Sequence, residues 1–196
     1  MLRRAFVLVA ATLVAAALAV PALAAVVHVR VEGKTTTIFG ATEPKAAGTT
    51  PLEALESASV AAEFYYHVTT TSFGPYVDQV GRFGGTASTG WVFKVNDASP
   101  PVGADKVTLK DGDRVLWYYA DFSSGGGPKT LRLLSKGGCY RVAAYDDTGK
   151  ESAAAGAVLH VDGRTVAGKL QGSCIGPHKG LVRATAPGMI RSNALS

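Results

Sequence analysis

Apolar and polar residues alternate strictly through Val27-His28-Val29-Arg30-Val31, the pattern of a half-buried strand. Residues 34–39 are rich in threonine and β-branched side chains and predict the hairpin partner of that strand, with Glu32-Gly33 at the turn. The period then changes. Thr50-Pro51-Leu52-Glu53-Ala54-Leu55-Glu56 opens a helix. Thr50 is placed to cap it, Pro51 suits the first helical position, and Glu53 stands where a capping box needs an acid. Leu52, Leu55, Ser59 and Val60 define its apolar face. Strand patterns follow at residues 64–68, 91–95, 106–109 and 114–119, the last two flanking the turn signal Lys110-Asp111-Gly112-Asp113. Two strands, a helix and further strands predict an α+β half in which one helix covers a mixed sheet.

Downstream the pattern contains no helix. Residues 131–134, 139–145, 156–161, 164–166 and 180–184 read as short strands, and Asp162-Gly163 is a two-residue hairpin signal. Short strands separated by turns predict a small β-sandwich, so the fold class expected is α+β followed by all-β. Between the halves, Ser123-Ser124-Gly125-Gly126-Gly127-Pro128 combines a relaxed backbone with a residue that blocks strand and helix. The expected organisation is a domain at 25–122, a glycine-rich linker at 123–129 and a second domain at 130–196. Residues 1–24 have the form of a secretory signal peptide: Arg3-Arg4, an apolar run over 5–20, then Ala22-Leu23-Ala24. The protein is therefore expected to be secreted and extracellular. The apolar run is short for a membrane span and nothing else in the chain is comparably apolar, so no stable membrane anchor is expected.

The 196 residues are 47% hydrophobic and 18% charged, which excludes a disordered or collagen-like chain. Charge is modest overall, at +5, but unevenly spread. Residues 25–127 hold 8 basic and 11 acidic side chains, whereas residues 128–196 hold 10 and 4. A basic module outside the cell suits anionic wall polymer or lipid headgroups; the scatter of its charges favours an ordinary solvated surface, and no nucleic acid partner is expected. Cys139 and Cys174 are the two cysteines. In an oxidising compartment they are expected to pair, closing a loop of about 35 residues worth about 3–4 kcal/mol; the alternative is two buried thiols. A half this small needs such a staple. His160 and His178 lack paired-ligand spacing, and no metal site is expected.

Catalytic constellations are missing: there is no G-x-S-x-G, H-E-x-x-H, phosphate loop or C-x-x-C, and the four histidines are scattered. A hairpin turn accounts for Asp111 and Asp113 without calcium. The chain is read as no enzyme and as needing no cofactor. Aromatic residues say more. Twelve of the sixteen lie within residues 64–122. Trp91 and Phe93 share one strand face, as do Trp117 and Tyr119, yet Tyr65, Tyr66 and Tyr118 cannot all enter one small core. Phe73-Gly74-Pro75-Tyr76 and Phe83-Gly84-Gly85 set flexible backbone beside rings. That composition suits a site for a flat or sugar-like ligand, and equally a loop packed on its own sheet.

Gly90-Trp91-Val92-Phe93-Lys94-Val95-Asn96, a loop with Gly103, and then Lys106 through Leu109-Lys110-Asp111-Gly112-Asp113-Arg114-Val115-Leu116-Trp117-Tyr118-Tyr119 resemble the transcobalamin-like C-terminal domain family. The helix signal at Thr50 and Phe73-Gly74-Pro75-Tyr76-Val77 match it too, and the resemblance covers residues 26–122. It implies a β-grasp-like domain with one covering helix, of the kind that binds soluble ligands. A corrinoid such as cobalamin is the ligand it puts first, with a glycan second. In vertebrate cobalamin carriers this domain closes over a ligand held against a helical barrel. No barrel is present in this sequence, so another protein is expected to complete the site. Matched to the family pattern and the aromatic density, the ligand-binding residues are Phe73, Tyr76 and Trp91 for stacking, Gly74 for backbone approach and Asn96 for a polar contact. The second half, through Gly138-Cys139-Tyr140-Arg141-Val142-Ala143-Ala144 and Ile190-Arg191-Ser192-Asn193, resembles secreted immunoglobulin-like modules. The functional expectation is a secreted, non-enzymatic small-molecule-binding protein; the alternative is a structural or adhesive extracellular surface protein.

Overall fold

The computed structural model describes residues 23–166 and 171–196; most of the expected signal peptide, residues 1–22, lies outside the described residues. Among the described residues the chain is mostly β, with one helix. Strand β1 (Ala25–Glu32) buries Val27, Val29 and Val31 completely, as its alternation demands. Two short strands pair antiparallel with it, β2 (Thr37–Phe39) along its end and β3 (Lys45–Gly48) along its start. The predicted hairpin partner is thus shorter than residues 34–39, because Gly33 N–H donates to Thr36 O at 2.8 Å and closes a turn there.

Helix α1 (Pro51–Ala62) begins where expected: Thr50 accepts from Glu53 N–H at 3.2 Å. Glu53 reaches past the cap residue to Thr49 N–H at 2.7 Å, so the capping box is displaced by one residue. The buried face is Ala54, Leu55, Ala58 and Ser59, while Val60 is 70% exposed. Leu55 and Ser59 of the expected face are thus buried and Leu52 packs against the core, while Ala54 and Ala58 take the place expected for Val60.

Beyond α1, β4 (Tyr66–Thr71), β5 (Gly74–Val80) and β6 (Phe83–Gly84) form a three-stranded antiparallel sheet. The glycine-rich stretch is therefore largely strand rather than loop: Val77 and Val80 are buried, and β5 is laddered to β4 along its length. Strands β7 (Thr89–Val95) and β8 (Arg114–Asp121) complete the first sheet, in the order β2-β1-β8-β7 with β3 also on β1. β8 runs parallel to β1 and antiparallel to β7. Both edges of β8 are taken, which is why residues 106–109 are not a strand. Instead Leu109 is buried and its N–H donates to Thr49 O at 2.9 Å. Trp91, Trp117, Leu55 and the valines of β1 share the core between sheet and helix.

The second half is built from β9 (Thr130–Lys136), β10 (Cys139–Tyr145), β11 (Glu151–Ala153), β12 (Val158–Val161), β13 (Arg164–Val166), β14 (Gln171–Cys174), β15 (Val182–Thr185) and β16 (Ala194–Leu195). They form two four-stranded sheets, one around β10 and one in the order β13-β12-β15-β16. Leu131, Leu133, Val142, Leu159, Val182 and Ala184 share the core between them. Asp162 and Gly163, at φ 49° and 79°, make the predicted two-residue turn. Cys139 and Cys174 face each other across β10 and β14 and are disulfide-bonded. That bond is compatible with an extracellular protein, and no helix among the described residues is long and apolar enough to cross a membrane.

The halves meet across the face of the first sheet that α1 leaves open. Leu116, Tyr118 and Ala120 of β8 cluster there with Val92 and Ile190. Glu32, without exposure, is bound by Arg30, Arg183 and Arg191, and Arg132 sits between Glu43 and Asp97. In the opposite direction Lys94 donates to Tyr145 O at 3.1 Å and Asp146 O at 2.7 Å. The acidic surplus of one half thus faces part of the basic surplus of the other.

Candidate functional site

The site grows from the edge of β7 that no strand among the described residues pairs. In an antiparallel ladder, alternate residues direct their N–H and C=O groups to the partner. Ser88 O accepts from Phe122 N–H at 2.8 Å and Asn96 N–H donates to Arg114 O at 2.9 Å, so even-numbered residues of this strand bond to β8. Trp91 and Phe93 therefore turn their backbone groups toward the free edge. At one end Thr89 O accepts from Thr86 N–H, and at the other Val95 N–H donates to Ala98 O, which leaves a short open window between them.

A groove of about 360 Å³ lies along this window, between β7, the start of β5 and the 99–104 loop. Its walls are dominated by Tyr76, Trp91, Phe93, Trp117, Tyr118 and Phe122. Trp91 donates its indole N–H to Phe83 O at 2.7 Å and Trp117 to Pro51 O at 3.1 Å, so both rings are fixed before any ligand arrives. Tyr119 packs edge-on against Trp91, with centroids 5.7 Å apart. The Tyr76 hydroxyl lies against the backbone N–H of Trp91, covering part of that edge, and beside Gly90, where a Cβ would collide with it. Burial raises the pKa of Tyr76, and that of Tyr118 more strongly, keeping both hydroxyls neutral.

The polar end is supplied from the second half. Asp147, in the turn between β10 and β11, lines the groove beside Ser99 and Tyr118. Behind it, Lys94 is fully buried, and that burial lowers its pKa.

Of the residues expected to bind ligand, Tyr76 and Trp91 line this groove together. Phe73 and Gly74 line an adjoining groove of about 470 Å³ that shares Pro75, Tyr76 and Gly103 with the first. Phe73 caps the β4–β5 turn and is 96% exposed. Trp91 is 1% exposed, so it forms floor rather than an open stacking platform. Asn96 lines neither groove. Its φ is 50°, its amide donates to Asp113 at 2.7 Å and its carbonyl oxygen accepts from Arg114 N–H at 3.0 Å. Asp111 and Asp113 are likewise turn acceptors, for Val26 N–H and Lys110 N–H. No cluster of three or more metal-ligating side chains occurs among the described residues.

Phe93, Tyr118 and Phe122 carried a signal, the aromatic density of residues 64–122. Asp147 carried none, because it comes from the other half.

A family model described as a domain of unknown function (DUF4430) matches residues 48–121, from just before α1 to the end of β8. No curated protein matches the chain. The match contains most of the aromatic wall of the groove and excludes Phe122 and Asp147.

Proposed function

We propose that this is a secreted, non-enzymatic binding protein whose first half holds a small, largely apolar ligand in the groove at the β7 edge. The observation that carries this reading is the groove's wall: six aromatic side chains, several fixed by hydrogen bonds, converge on one concave surface. Of the four exposed aromatics among the described residues, Tyr76 and Phe122 line this groove, Phe73 lines its neighbour and Tyr65 lines neither, whereas a spacer would scatter such residues singly. A β-grasp reading of the first half is supported by one helix on a mixed sheet with β1 parallel to β8. An immunoglobulin-like sandwich reading of the second half is supported by two sheets around one core.

A corrinoid is the first ligand to test, by the resemblance to transcobalamin-like domains. The groove, at about 360 Å³, is near the lower end of the ~300–1,000 Å³ that encloses a drug-sized ligand. A corrinoid would therefore lie across the rim, and a second protein would cover its outer face. The chain has two tryptophans, both in the groove wall, so their fluorescence reports occupancy. Titration of the mature chain with cobalamin and with cobinamide should give saturable quenching and a raised melting temperature. No saturable change with either compound removes the corrinoid reading.

A further inference from the structure

We infer that Asp147 of the second half selects the ligand of this groove, favouring an apolar, ring-bearing molecule that presents an N–H donor, as ammonium or amide, over one that presents a carboxylate. The inference rests on the binding reading above and adds the chemistry of the ligand and the part played by the second half.

The turn that carries Asp147 is held from within. Asp146 Oδ1 accepts from Thr148 N–H at 2.9 Å, the Thr148 hydroxyl at 2.7 Å and Lys150 N–H at 3.0 Å. It is also docked to the first half, because Asp147 O accepts from Ser99 N–H at 2.8 Å. The Asp147 carboxylate is thereby placed at the end of an aromatic groove by backbone contacts rather than by its own side chain.

Its two oxygens are not equivalent. Oδ1 is turned toward the Tyr118 hydroxyl at 3.4 Å, the Ser99 hydroxyl at 3.4 Å and Lys94 Nζ at 3.5 Å. Oδ2 accepts no hydrogen bond among the described residues, and the side chain is 48% exposed. The shorter bonds from Lys94 go to Tyr145 O, Asp146 O and Thr130 Oγ1, so its ammonium is largely committed elsewhere. Oδ2 lies on the side of the linker, where a Cβ at Gly127 would come within 2.8 Å of it.

A half-exposed carboxylate lining an apolar groove rewards a donor and repels an acid. A hydrogen bond to a charged group in such a setting is expected to discriminate by about tenfold or more.

The test uses three probes that share a ring and differ in one group: 2-naphthylmethylamine, 2-naphthylacetamide and 2-naphthylacetate. Each is titrated into the full mature chain while the two indole N–H signals of Trp91 and Trp117 are followed in nitrogen-15 spectra. The amine and the amide should bind at least about tenfold tighter than the acid. That advantage should disappear in Asp147→Ala and shrink in Asp147→Asn. Equal affinity of all three for the unmodified chain overturns the role of Asp147 while leaving the groove reading intact, and this comparison needs no variant to fold. An advantage that persists in a folded Asp147→Ala chain overturns it as well. If no probe moves either indole signal, the groove reading falls and this inference with it.

Discussion

Arg191 reaches 159 positions back along the chain to Glu32, whose carboxylate it meets at 3.0 Å through Nε and 2.9 Å through Nη2 in a site that leaves Glu32 no exposure. Arg30 and Arg183 converge on the same carboxylate, and Arg191 also donates to Gly33 O at 2.7 Å. One buried anion thus ties the end of the chain to its first strand. Glu32→Gln keeps the shape and removes the charge, leaving these guanidinium groups close together without their shared counter-ion. The expected cost is about 3–5 kcal/mol, read as a fall in the urea midpoint. A cost below about 1 kcal/mol would show that the pair is solvated and holds nothing together.

Lys94 gives a pH-dependent test. Burial holds its pKa below the ordinary 10.5, so between that depressed value and 10.5 the unfolded chain binds a proton that the native chain has lost. Stability from this group therefore rises with pH across that window, and its buried ammonium is least favourable below it. Lys94→Met removes the slope but orphans the carbonyls of Tyr145 and Asp146, at a cost of about 1–3 kcal/mol near neutrality. Urea midpoints of both chains from neutral to alkaline pH should diverge as pH rises, the unmodified chain gaining on the variant. Parallel curves would mean that Lys94 titrates as a solvated lysine.

Gly90 is required by its neighbour. Any Cβ there meets the Tyr76 hydroxyl, so Gly90→Ala should push that ring outward and weaken ligand or probe binding. The moving atom is the end of a side chain, so stability should change by only about 1 kcal/mol. Gly90→Ala combined with Tyr76→Phe should restore the wall geometry and recover part of the binding. Equal loss in the single and double variants would place the effect elsewhere.

The linker separates covalently what the interface holds together. Ser123 to Gly126 are exposed, so limited proteolysis should cut there first. The nicked chain should still elute as one species, because the Glu32 ion pairs and the Leu116–Tyr118–Ile190 cluster bridge the halves. Dissociation on nicking would show that the interface is weak without the tether.

Much of the fold is legible in the sequence because its signals are local. Alternation in Val27–Val31 marks a strand, Thr50 and Pro51 open a helix, Asp162-Gly163 closes a hairpin, and Cys139 pairs with Cys174. Each depends on a few neighbouring residues or on a covalent bond. The strand expected at 106–109 failed for a non-local reason: β1 and β7 already occupied both edges of β8. The glycines around residue 74 hid a strand because their neighbours Val77 and Val80 are buried by a sheet that a short window cannot show.

The candidate site divides in the same way. Tyr76 and Trp91 stood out as rings in a glycine-rich, aromatic stretch, a property of composition, and Asn96 proved to serve a turn instead. Arg30, Glu32 and Lys94 occupy positions that the alternation assigns to the solvent side of their strands, and the second half covers them all. Their partners lie up to 161 residues away, as Arg30 and the carbonyl of Arg191 do. Asp147 enters the groove across the same boundary. Residues that distant leave no periodicity in one another's neighbourhood. Their pairing is set by how two finished surfaces, of opposite charge and matching shape, come to rest against each other, and only the tertiary structure decides that.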